Sequence, residues 1–129
     1  MLIEKTSPYS VDKTTELIVA ETERQNWKVP AVHDLQQTLA KSGKVVMPVK
    51  VIELCKPELA GKILEMNHER SISVFMPCRI SVYEKEDGKT YLSVMNAQAM
   101  AAFLPASVAL TMIEAAEGSL SIIEAALSA

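Results

Sequence analysis

The chain has few of the residues that would mark a specialised class of protein. It contains 129 residues with only two cysteines and four glycines. Two cysteines cannot build a disulfide-rich scaffold, and they form no C-x-x-C motif. The glycines form no phosphate-binding loop of either standard spacing. In a cytoplasmic protein both cysteines are expected to be reduced thiols.

Basic clusters and long apolar runs are also missing. The net charge is −3, and Lys and Arg are scattered among Glu rather than gathered in a stripe that could bind nucleic acid. The first residues lack the basic and apolar segments of a signal peptide. No uninterrupted apolar run approaches the roughly 20 residues that span a bilayer. We therefore expect a cytoplasmic protein with neither a nucleic-acid nor a membrane partner.

What the chain does contain is a regular alternation of strand and helix patterns. Because 49% of its residues are hydrophobic, residues 1–129 can form a core as a single domain. The predicted order is β-α-β-α-β-α-β-β-α-α, with strands expected at 2–6, 27–33, 44–55, 74–83 and after Gly88. This order predicts an α+β fold: a single sheet of about five strands with helices packed on one face. Pro30 makes the second strand an edge or a bulged strand.

Helix boundaries follow from capping residues. Ser10 or Asp12 can cap the first helix, Asp34 the second and Asn96 a short one near the C-terminus, because their side-chain oxygens accept from free amides of the first turn. The last helix begins at Pro105. Its central glycine, at position 118, predicts a kink or a close contact.

An Asp-Gly pair at 87–88 predicts a hairpin between two alternating stretches. Its register stays open. A two-residue turn would pair Val82 with Ser93, whereas a longer, bulged turn would point Leu92 and Val94 inward.

With helices on one face of the sheet, apolar side chains are expected on the second face. Phe75, Tyr83 and Leu92 are the predicted members of this surface. A homodimer would cover it.

Three stretches, in this order, resemble one family: "WKVPAVHDLQQTL", "VIELCKPELAGKIL" and "MPCRISVYEKEDGKTYLSVMN". The family is domain of unknown function 302 (DUF302) of bacteria and archaea, and the resemblance spans about residues 11–127. Lys56 stands where the family's Cys-Asn-Pro turn has Asn, so a role of that amide does not carry over. The resemblance implies a small α+β domain that tends to form homodimers, and it suggests haem binding for some members.

His33 is the leading candidate for a functional residue, because it lies where an extended stretch meets a helix start. A neutral imidazole there could be an axial haem ligand, which makes His33 the predicted metal ligand. The sequence leaves the cofactor unknown, with haem as a candidate. Trp27, Met47 and Met76 are predicted to help form the cofactor site. Two alternatives remain open: a His33 hydrogen-bonded to nearby backbone beside a capping Asp34, and an acid–base role.

The two cysteines support an alternative function. Cys55 precedes a predicted helix N-terminus and is the better nucleophile, while Cys78 lies on an apolar strand face where a thiol packs as a small hydrophobe. A thiol-based redox or sulfur-handling protein is therefore the second interpretation, and a structural or partner-binding module is the third. Since no catalytic triad can be identified, the sequence favours a small dimeric protein that binds haem or another small apolar ligand near His33 over an enzyme.

Overall fold

The computed structural model describes residues 1–128 and has the predicted α+β architecture, with strands and helices in the predicted order. Two segments, His68–Phe75 and Ala101–Phe103, form 3₁₀ turns. The other elements are β1 (Leu2–Ser7), α1 (Val11–Arg24), β2 (Val32–Asp34), α2 (Leu35–Ala40), β3 (Val49–Leu54), α3 (Pro57–Leu64), β4 (Cys78–Glu84), β5 (Thr90–Met95), α4 (Ala97–Met100) and α5 (Ala106–Leu127).

One antiparallel sheet contains all five strands in the order β1-β5-β4-β3-β2. The two edges are therefore β1 and β2. Strand β2 is only three residues long and follows Pro30, which has no amide to give to a ladder. The prediction of an edge strand in this region is confirmed, although the strand is shorter than expected.

The core lies between one face of the sheet and helices α1 and α5. Alternate residues of the three central strands point into it, because successive side chains of a strand point to opposite faces. The fully buried members from these strands are Ile52, Leu54, Ile80, Val82 and Leu92. We call the opposite side of the sheet the open face; its side chains include those of Leu2, Glu4, His33, Val51, Glu53, Arg79, Ser81, Tyr83, Tyr91, Ser93 and Met95.

All three predicted helix caps are present. Ser10 Oγ accepts from the Lys13 amide at 3.1 Å, Asp34 Oδ1 from the Gln37 amide at 3.0 Å, and Asn96 Oδ1 from the Ala99 amide at 3.1 Å. Each bond satisfies an amide of a first helical turn, which has no acceptor within the helix.

The hairpin has the longer, bulged turn. Val82 pairs with Leu92, and the Gly88 amide donates to the Lys85 carbonyl at 2.9 Å. Gly88 has a φ of +78°, a conformation that glycine adopts without strain. Leu92 therefore faces the core and is only 1% exposed, so its predicted place on the second face was wrong. Tyr83 does lie on the open face.

Two predicted strands begin later than expected. One starts at Val49 instead of Lys44 and the other at Cys78 instead of Val74. A proline immediately precedes each strand and cannot donate a ladder hydrogen bond, so pairing begins only after it. Phe75, predicted on the second sheet face, ends a 3₁₀ segment instead.

Within residues 1–128, helix α5 is the one helix that is long and apolar enough to cross a membrane. It has 22 residues, and its most apolar 18-residue window has a mean hydropathy of 1.3, so length and composition alone would let it cross a bilayer. Glutamates interrupt every apolar run of α5, which is why uninterrupted runs did not reveal it. The helix packs on α1 and β4 and buries Val108, Ile122 and Ile123. One side of α5 therefore contributes to the core.

Candidate functional site

The sheet opens at one end because β4 and β5 diverge. Strand β4 pairs with β3 as far as Cys78, and β5 pairs with β1 as far as Met95. The ladder between β4 and β5, however, ends at the pair Ser81–Ser93. Beyond this pair the facing backbone groups of the two strands do not continue the ladder. We call the resulting opening the β4/β5 cleft.

The β4/β5 cleft has a volume of about 310 Å³. It reaches from the open face of the sheet to helix α5, and its walls are mainly apolar. Its lining residues are Leu2, Val51, Phe75, Pro77, Cys78, Arg79, Ser81, Ser93, Val94, Met95, Ala97, Met112, Ala116 and Ser119. An apolar cleft with a few polar groups is the usual form of a small-molecule site, and this volume is at the lower end of the range for such sites.

A smaller cavity of about 50 Å³ adjoins the cleft. We call it the thiol cavity, because Cys55 and Cys78 both line it. Its other lining residues are Trp27, Leu54, Lys56, Leu59, Ala60, Ile63, Phe75, Met76, Pro77, Thr111, Met112 and Ala115. This volume is far below the roughly 300 Å³ of the smallest usual ligand sites. Cys78 lines both spaces and so lies at their boundary.

Both cysteines are free thiols in surroundings that disfavour the thiolate. Burial raises the pKa of Cys55, and the nearby carboxylate of Glu58 raises it further. Burial also raises the pKa of Cys78, against the opposing effect of a hydrogen bond with Ser119. Removing a charged group from water favours its neutral form. Both thiols are therefore held protonated at neutral pH.

The structure does not bring the predicted cofactor residues together. Trp27, only 5% exposed, and Met76 line the thiol cavity. His33 lies on the open face of β2 with its side chain 49% exposed, and its Nε2 is 2.9 Å from Glu53 Oε2. Met47 precedes β3 and is 42% exposed. His33 and Met47 line neither the thiol cavity nor the β4/β5 cleft.

No protein-only metal site is found in residues 1–128. The described part of the chain holds no group of three or more His, Cys, Asp or Glu residues that could bind a metal ion. A metal at His33 would therefore need most of its ligands from a bound cofactor such as haem.

The open face carries a polar cluster that was not predicted from the sequence. Glu4 accepts hydrogen bonds from the Tyr83 hydroxyl and from Lys85 Nζ, the latter at 3.1 Å. These two bonds hold the pKa of Glu4 below its usual value. The rings of Tyr83 and Tyr91 stack with their centroids 6.2 Å apart. The cluster joins β1 to β4 across β5. It could not be predicted because local sequence patterns do not give the order of strands in a sheet.

Apart from the predicted thiol residue Cys78, most residues of the β4/β5 cleft were also missed. Arg79, Ser81, Ala116 and Ser119 were not among the predicted functional residues. One signal was available: small side chains cluster in "EAAEGS", residues 114–119, where a helix can leave open space.

Comparison with known proteins establishes the family. Among curated proteins no match was found. A crystal structure of an uncharacterised conserved DUF302 protein from Bacillus stearothermophilus is similar in fold, with a TM-score of 0.79 at 16% sequence identity, over 98% of this chain and 94% of that one. The family model "Domain of unknown function DUF302" matches residues 3–127. Because this match covers nearly the whole chain, the protein belongs to the DUF302 family.

Proposed function

We propose that this protein binds a small, mainly apolar molecule in the β4/β5 cleft. The observation that carries the proposal is the divergence of β4 and β5 beyond Ser81–Ser93, which leaves an opening of about 310 Å³ against helix α5. A closed sheet would have filled this space with ladder hydrogen bonds and side chains. The proposal keeps the binding role expected from the sequence and moves its site from His33 to the cleft.

The chemistry of the walls supports an apolar ligand. Phe75 and Pro77 line one part of the cleft, and Met112 and Ala116 of α5 line another. Burying apolar surface of a ligand against such walls contributes roughly 25 cal/mol per Å². Backbone groups left over where the ladder ends can hydrogen-bond a polar end of the ligand.

Chemical-shift mapping tests this proposal. We expect titration of ¹⁵N-labelled protein with octan-1-ol, a neutral apolar probe, to shift amide signals of β4, β5 and α5 around Ser81, Met95 and Ala116. Saturable shifts confined to these elements would support a cleft site. Shifts confined to amides around the exposed residues Val45, Phe103 and Leu110, which do not line the cleft, would contradict it.

Haem binding through His33 remains a prediction from the sequence. The half-exposed position of His33 and its hydrogen bond to Glu53 favour a surface side chain over an enclosed ligand site. Titration with haemin tests whether His33 is a surface side chain or a haem ligand. A saturable Soret shift near one haem per chain that is lost in His33→Ala would support haem ligation, and an unchanged shift in the variant would exclude His33 as the ligand.

A thiol-based function is the second candidate, because Cys55 and Cys78 line the same small cavity. The raised pKa of both thiols counts against it, since the thiolate is the reactive form. Thiol reactivity at neutral pH tests it directly.

The homodimer also remains a prediction. Leu2, 70% exposed, and Met95, 36% exposed, place apolar atoms on the open face that a second copy would cover. Sedimentation equilibrium at tens of micromolar tests it, and a monomer would contradict it.

A further inference from the structure

We infer that the ligand of the β4/β5 cleft is an anionic amphiphile: a carboxylate on a short aliphatic chain, with the carboxylate bound by Arg79. This inference rests on the proposed function and specifies the class of ligand. It comes from three features of the cleft: its single cation, the hydroxyls beside that cation and the size of its apolar part.

Arg79 is the only charged residue of the cleft lining. It lies on the open face of β4, is exposed, and stands directly opposite Glu53 in the ladder with β3. Glu53 directs its carboxylate to His33 Nε2, at 2.9 Å. Within residues 1–128 no carboxylate lies within 4.0 Å of the Arg79 guanidinium, so its charge is left for an anion from outside.

Two serines stand near this cation. Ser81 and Ser93 face each other at the last pair of the β4–β5 ladder, where the cleft begins. Ser93 lies on the same open face as Tyr83 and pairs with Glu4 of β1 on its other side. A guanidinium beside small hydroxyl residues suits a planar carboxylate, which accepts two parallel hydrogen bonds from arginine.

The number of cations limits the charge of the ligand. Polyphosphates and nucleotides need several Lys or Arg residues or a helix N-terminus. The lining of the cleft offers one guanidinium and no lysine. A monoanion therefore fits better than a phosphate or a dinucleotide.

The apolar part of the cleft sets the length of the chain. The volume of about 310 Å³ lies at the lower end of the range for ligand sites, so the cleft suits a small ligand. A carboxylate with about eight carbons represents this size class. Its chain would lie against Phe75, Met112 and Ala116, away from the guanidinium.

Calorimetric titration with two matched probes tests the inference. Octanoate and octan-1-ol share a chain and differ in the charged end. We expect Arg79→Gln to weaken octanoate binding by about tenfold or more, since a hydrogen bond to a charged group is lost. Octan-1-ol binding should weaken much less, because the alcohol carries no charge for Arg79 to pair with. Arg79→Lys, which keeps the charge, should recover part of the affinity. Lys62→Gln on α3, an exposed lysine outside the cleft, is the matched control and should bind both probes like the wild type.

The outcomes separate the two proposals. If octanoate and octan-1-ol bind with equal affinity and neither responds to Arg79→Gln, the cleft binds apolar molecules but the carboxylate inference is overturned. If neither probe binds the wild type, the proposed function itself fails. Octanoate binding that weakens with added salt while octan-1-ol binding does not would support the assigned ion pair.

Discussion

Gly118 of α5 packs directly against the ring of Trp27. A Cβ built at position 118 would stand 2.5 Å from Trp27 Cζ2 and 3.1 Å from Cη2. The ring is only 5% exposed and lines the thiol cavity. The close contact predicted for this glycine is thus confirmed, and it explains why a residue unfavourable in helices occupies the middle of α5.

Gly118→Ala should therefore destabilise the protein. Alanine gains about 1 kcal/mol of helix propensity, but overpacking a buried ring typically costs about 1–3 kcal/mol. We expect a net loss in the free energy of unfolding, measured by urea denaturation with the fluorescence of Trp27, the only tryptophan.

Gly61→Ala is the matched control within a helix. A Cβ at position 61 would meet only Glu65 Oε1, at 3.6 Å, which is an ordinary contact. We expect this variant to be as stable as the wild type or up to about 1 kcal/mol more stable. A Gly118→Ala protein that matched it would contradict the packing described for Trp27.

The thiols should react slowly at neutral pH. Burial raises the pKa of Cys55 and of Cys78, so the thiolate fraction of each falls below that of an ordinary cysteine. The rate of reaction with an aromatic disulfide should rise with pH and reach half its limit above the usual thiol pKa of about 8.5.

Single serine variants assign the two rates. Cys78→Ser leaves Cys55, which should react faster than the more deeply buried Cys78 left by Cys55→Ser. Both thiols should react alike in urea. A rate that is already half-maximal below pH 7 in either variant would revive the redox interpretation.

His33 should contribute little to stability. Its bond to Glu53 is a half-exposed pair, and such pairs typically contribute about 0–1 kcal/mol. Asp34→Ala, which removes the N-cap of α2, should cost about 1 kcal/mol. Thermal unfolding compares the two variants. A loss above about 3 kcal/mol for His33→Ala would require a buried role that its exposure does not indicate.

Much of the fold could be predicted because the decisive signals are local. Ser10, Asp34 and Asn96 cap helices through bonds that span three residues. Strand alternation and the Asp-Gly turn placed the hairpin. The errors were local too. The prolines at 48 and 77 make β3 and β4 begin later than predicted. The alternation of apolar and polar residues also continues into His68–Phe75, a 3₁₀ segment, so part of it was predicted as strand.

The candidate site could not be predicted because it depends on distant parts of the chain. Arg79 and Met95 lie on strands that are neighbours in the sheet but diverge, and Ala116 comes from α5. A sequence pattern shows that a strand exists but not where its pairing with a neighbour ends. His33 was the leading candidate because it lies between an extended stretch and a helix start, and such a position does not show whether the side chain is enclosed.

Filling the β4/β5 cleft tests the central claim most directly. Ala116→Leu adds a branched side chain to the cleft wall, and Ala125→Leu makes the same change at an exposed position of α5 outside the lining. We would measure octan-1-ol binding to both variants by calorimetry, with unfolding curves to show that both are folded. We expect Ala116→Leu to weaken binding by tenfold or more, because each CH₂ of the ligand that is displaced from the cleft loses about 0.8 kcal/mol of burial energy. Ala125→Leu should bind like the wild type. Equal binding by a folded Ala116→Leu protein would show that the cleft is not the site.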